Sequence, residues 1–118
     1  MTVAERAVAW VALLLVLTAC GAATETPATG EGLAREIGCL SCHTDTSTQL
    51  APTLHGLAGT EVRLEDGSTV VADSEYIRRS IADPGAQIVE GYRPAMPRFD
   101  LTAEEIDRLV EYVEGLGS

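Results

Sequence analysis

The chain has 118 residues, 46% hydrophobic and 4% aromatic, with a formal charge of −10 at pH 7. That length sets one domain as the prior, and a chain this acidic, whose eight basic residues are all arginine, argues against a nucleic-acid partner. It leaves membranes open, because attachment through lipid needs no positive charge.

The first element in chain order is a leader. An apolar run over residues 7–19 follows Arg6. It has the length of a signal-peptide core and falls short of the ~20 residues that span a bilayer. It ends in Leu17-Thr18-Ala19-Cys20-Gly21, which resembles the lipobox of bacterial lipoproteins. An ordinary signal peptide and an uncleaved anchor are the other readings. The expectation is a lipoprotein signal peptide over 1–19, cut before an acylated Cys20. That would export the protein and tie it to a bacterial membrane, facing the periplasm or the cell exterior. "GAATETPATGEG" has no apolar period and reads as loop-forming sequence, so residues 20–30 are expected to be a flexible tether and 31–118 the domain. A domain of about 85 residues is small for a self-sufficient core. It has only Tyr76, Tyr92, Phe99 and Tyr112 as aromatics, which suits a fold built around a large apolar cofactor.

Within the domain, residues 31–43 read as a short helix, with Leu33 and Ile37 on one face. Residues 44–60 form a loop rich in Thr, Pro and Gly. "EVRLEDGSTVV" (61–71) reads as a hairpin: Val62 and Leu64 alternate with polar residues and Asp66-Gly67 is the turn. Residues 74–83 form a helix capped by Asp73 or Ser74 and stopped by Pro84, with Ile77 and Ile81 as its buried stripe. Residues 84–100 contain three prolines and two glycines, and no helix runs through them. Thr102 and Glu105 then make a capping box. Ile106, Leu109, Val110 and Val113 follow at helical spacing up to Gly115. The expected class is all-α: three main helices, long loops and one small β-hairpin.

"EIGCLSCHTDT" (36–46) carries the chemistry. Cys39, Cys42 and His43 form Cys-x-x-Cys-His, the attachment signature of c-type haem. Thiols at i and i+3 on a helical turn sit close enough to add to two vinyl groups of one haem, and the next residue is held beneath the iron. A thioredoxin-type redox pair would need a preceding strand and a βαβ context, which are not seen here. A zinc site could use Cys39, Cys42 and His55, but a fourth ligand is lacking. If Cys20 carries lipid, only Cys39 and Cys42 remain, and a disulfide closing so small a loop adds little. The sixth iron position falls to Met96, the only methionine besides Met1, set between Pro94 and Pro97 in a stretch with no helical period. His55 is the alternative ligand, or else a surface or haem-edge residue.

On "GCLSCHT", "APTLHGL", "EVRLEDGSTVVADSEYIRRSIADP", "EGYRPAMPRF" and "LTAEEIDRLVEYV", the sequence resembles a class I monohaem cytochrome c. Over residues 31–116 it is most similar to the cytochrome c domain fused to subunit II of caa3-type cytochrome oxidases. The resemblance implies a cytochrome c fold, with helices wrapped round one covalently bound haem c. It implies Cys39 and Cys42 as thioether sites and His43 and Met96 as axial ligands. Pro52 would offer its carbonyl to the His43 ring. Ala51 stands where the family usually has glycine. Gly38 would let the first helix approach the last, with Tyr112 packing nearby. Tyr92, Arg93 and Arg98 would reach the haem propionates, the two arginines being otherwise plain solvated charge. With only two histidines, a dinuclear copper site is out of reach, so the expectation is the carrier module alone.

The functional expectation is an electron-transfer protein with no enzyme activity. It would be a membrane-tethered one-electron carrier of a bacterial respiratory chain, working between a quinol-oxidising complex and a terminal oxidase, or a subunit of such a complex. Its partners would be redox proteins, without nucleic acid or a small-molecule substrate. A haem that binds a gas or peroxide after losing Met96 is the competing reading, and it needs an open sixth position.

Overall fold

In the computed structural model, Gly21 and residues 27–117 are described. The leader, Cys20 and most of the tether therefore lie outside the described residues. Helix α1 (Gly30–Glu36) opens where the Thr29 hydroxyl accepts from the Gly32 N–H at 3.1 Å, satisfying one of the free donors of the first turn. Leu33 and Ala34 are its buried residues. One helix was expected over 31–43, but the chain breaks after Glu36. Gly38 takes φ +88° and caps a separate single turn, α2 (Cys39–Cys42). Only glycine enters the left-handed region at little cost, and the Leu33/Ile37 spacing carries no trace of that break.

Strands β1 (Glu61–Arg63) and β2 (Thr69–Val71) pair antiparallel, with Val62 opposite Val70. The hairpin turn uses Gly67 at φ +85°, and the Asp66 carboxylate accepts from the Ser68 N–H at 2.8 Å and its hydroxyl at 2.6 Å. Helix α3 (Ser74–Ala82) settles the cap: the Asp73 carboxylate accepts from the Tyr76 N–H at 2.8 Å. Helix α4 (Ala103–Gly115) starts on the expected box, with Thr102 Oγ1 accepting from the Glu105 N–H and Glu105 Oε2 from the Thr102 N–H.

The core is two clusters sharing α4. Leu109 meets Leu33 and Ala34 of α1, while Val110 and Val113 meet Val62, Leu64, Ala72, Tyr76 and Ile77. Burial of Leu33 and Leu109, each 2% exposed, stabilises by roughly 1.5–3 kcal/mol apiece. Arg78 pairs with Asp107 at 2.5 Å and Ser74 bonds Glu114, both joining α3 to α4. The glycine that lets α1 meet α4 is Gly30, not Gly38. A Cβ at Gly30 would lie 2.0 Å from the Arg108 carbonyl oxygen and 2.7 Å from Tyr112 Cβ. At Gly38 an added Cβ would come no nearer than 3.8 Å to Ser41 Oγ, so that glycine serves its backbone angle alone. Among the described residues, no helix is long and apolar enough to cross a membrane.

Candidate functional site

Helix α2 holds Cys39 and Cys42 one turn apart, and the His43 N–H donates to the Cys39 carbonyl at 2.9 Å, closing the turn. Both cysteines are free thiols; Cys42 is exposed and Cys39 half-buried. Burial pushes the Cys39 thiol above the ordinary cysteine range, offset in part by a backbone hydrogen bond. His43 Nδ1 stands 2.8 Å from the Pro52 carbonyl oxygen. With Nδ1 donating to that acceptor, the Nε2 lone pair is left for a metal and the ring plane is fixed.

Pro52 is steadied by the loop before it. Thr48 N–H donates to the Ala51 carbonyl at 3.0 Å, Thr53 N–H to Ser47 Oγ at 3.0 Å, and Thr53 Oγ1 to the Asp45 carbonyl at 3.2 Å. Ala51 is buried there, and no described residue other than glycine takes a positive φ, so alanine meets no backbone strain at this position.

These residues open onto a cavity of about 380 Å³ with mostly apolar walls. Cys39, Cys42, His43 and Pro52 line it together with Tyr92, Arg93 and Met96. The seven positions named for the cofactor thus come together in one space. Ile77 and Ile81 of α3 and Leu109 and Val113 of α4 supply apolar wall. His55 does not line this cavity. It is half-exposed, 3.4 Å from Asp45, beside a second pocket. Arg98 does not line it either and pairs with Asp83.

Two lining residues with unpartnered polar atoms were not legible in the sequence. Ser80 Oγ and Gln87 Oε1 are buried and have no protein partner. Ser80 lies three residues after Ile77 and four after Tyr76, so the α3 stripe, extended by a turn, points to it. Gln87 lies in the proline-rich segment, where no period marks a face. Two unpartnered polar atoms on an apolar wall, two free thiols and a metal-ready imidazole are a donor set that fits haem c. The thiols would form its thioethers, and the polar atoms would meet its polar edge.

Residues 25–113 match the family model described as cytochrome c oxidase, cbb3-type, subunit III. No curated protein matches the chain closely enough to count as a relative. The matched stretch is well over half of the chain, and the chain belongs to this family. It is a class I monohaem cytochrome c domain, and the cofactor of the family is covalently attached haem c. The mostly helical fold with one small antiparallel sheet agrees with a cytochrome c fold. The family's role is electron transfer, which implies redox protein partners.

Proposed function

We propose that this c-type cytochrome is an exported, lipid-anchored one-electron carrier of a bacterial respiratory chain. It would pass electrons from a quinol-oxidising complex to a terminal oxidase, as a free carrier or as a subunit of such a complex. It would be a counterpart of the domain carried by caa3-type subunit II. Cys20 would bear the lipid, and the segment behind it would let the domain reach its partners while confining it near the membrane.

The observation that carries the carrier role is the shared cavity. Cys39, Cys42 and His43 come to it from one segment and Met96 from another, far along the chain. Haem c supplies an iron that gains or loses one electron. Cys39 and Cys42 would bind it covalently, so that a thin core keeps it. His43, oriented by Pro52, would hold one axial position and Met96 the other, leaving none for a substrate. The apolar walls exclude water, which together with a thioether ligand favours the reduced state and keeps reorganisation small. Among the described residues Arg93 is the one arginine lining the cavity, and it would offset carboxylate charge.

The test is absorption spectroscopy on holoprotein matured in a host that attaches haem c. The expected result is a low-spin haem c with the weak far-red band of sulfur-ligated ferric iron, inert to carbon monoxide when reduced. Met96→Ala should lose the band and bind carbon monoxide. A parent protein that binds carbon monoxide rapidly would favour a gas-binding role and overturn the carrier reading.

A further inference from the structure

Met96 lies in the least secured stretch of the domain. Among the described residues, 93–101 make no backbone–backbone hydrogen bonds. Pro94 and Pro97 have no N–H to give, and Arg93, Pro94, Ala95, Pro97 and Arg98 are exposed. A loop without backbone bonds of its own is placed by what holds its ends and by the Arg98–Asp83 pair that ties it to the end of α3.

The upstream end is held by the hairpin. Tyr92 N–H donates to the Val89 carbonyl at 3.0 Å, and Val89 pairs antiparallel with Leu64. Either side of that pair, Glu65 N–H donates to the Ile88 carbonyl and Glu90 N–H to the Arg63 carbonyl, both at 2.9 Å. The Arg63 guanidinium adds a 3.0 Å contact to Glu90. Residues 88–90 thus meet the chain just past β1 through one isolated bridge, on the edge away from β2. Leu64, 6% exposed, roots the pair in the core, and its N–H donates to the Ser68 carbonyl across the turn. The turn closed by Asp66 and Gly67 is therefore continuous, through β1 and 88–90, with the backbone leading into Met96.

We propose that this hairpin is the splint of the Met96 loop, its turn setting how readily Met96 leaves the cavity. The proposal rests on the axial role given to Met96 above and assigns the hairpin a positioning task. No residue of the hairpin lines the cavity, so its effect must pass through residues 88–90, of which Ile88 and Val89 do line it.

The test uses ferric holoprotein and three variants: Gly67→Val, which forces a β-branched residue into the left-handed region; Asp66→Ala, which removes the turn acceptor; and Thr29→Ala, which removes the exposed cap of α1 and belongs to neither hairpin nor cavity lining. The readouts are the rate of cyanide binding, the far-red band, and hydrogen exchange at the Glu65 and Glu90 amides. Gly67→Val should speed exchange at both amides and raise the cyanide rate about tenfold, equivalent to about 1.4 kcal/mol of lost restraint. Asp66→Ala should shift both in the same direction by less, and it decides the matter if Gly67→Val does not fold. Thr29→Ala should lower the denaturation midpoint yet leave the cyanide rate within about twofold. Faster amide exchange with an unchanged cyanide rate overturns the splint and leaves the axial role standing. So does a Thr29→Ala rate raised as much as that of Gly67→Val. If Met96→Ala matches the parent in both band and cyanide rate, the axial role fails and the splint with it.

Discussion

At His43 one hydrogen bond decides which nitrogen faces the cavity: with Nδ1 given to the Pro52 carbonyl at 2.8 Å, only Nε2 remains to bind a metal. His43 was legible because Cys-x-x-Cys-His has a fixed chemical meaning, and Pro52 through the resemblance to class I cytochromes c. The distance between them was not, since a nine-residue loop of Thr and Ser hydrogen bonds brings Pro52 back. Arg93 is the residue whose charge bears most directly on the proposed redox role. Replacing it by Gln removes a positive charge from the cavity wall and should lower the midpoint potential. For an exposed charge the shift should be about 10–40 mV, smaller in high salt, measured by redox titration. No change at low salt would show that Arg93 is mere solvated charge. Arg98 shows the limit of reading by residue type: it looked equivalent to Arg93, yet Asp83 takes it.

The elements were legible wherever a local rule fixed them. Thr102 and Glu105 announce α4, Asp73 precedes α3, and Asp66-Gly67 makes the hairpin turn. Thr102→Ala should cost about 1 kcal/mol in denaturant unfolding. The crossing of α1 and α4 depends instead on a contact between segments distant in sequence. Gly30→Ala would press a methyl into the Arg108 carbonyl and should cost about 3 kcal/mol, beyond the loss of any surface cap. A variant as stable as the parent would show that the helices can part without harm. The hairpin turn has a pH signature. The Ser68 hydroxyl and N–H hold the Asp66 carboxyl below the ordinary aspartate range. Its contribution is therefore present at neutral pH and is lost as pH falls through that range to the lowered folded value. Protection of the Leu64 amide should weaken in acid, and in Asp66→Asn that acid step should be absent.

For the whole molecule, eighteen acidic residues against eight arginines mean that a partner docking through charge must present a basic face. Its turnover with this protein should fall steeply as salt rises, and an apolar docking face would give a flat curve. Cys20→Ser should move the protein from the membrane fraction to the soluble one, and retention there would rule out the lipid anchor. From the sequence alone came the haem-attachment chemistry, the helical class, the caps, the hairpin and the small size of the core. Each rests on residues within a few positions of one another, where covalent spacing and backbone preference suffice. Tertiary structure alone decided that helix α1 breaks at Gly38, that Gly30 is the close contact, that Ser80 and Gln87 bury unpartnered atoms, and that residues 88–90 join β1. Those features depend on which distant segments meet, and packing, not local preference, determines that.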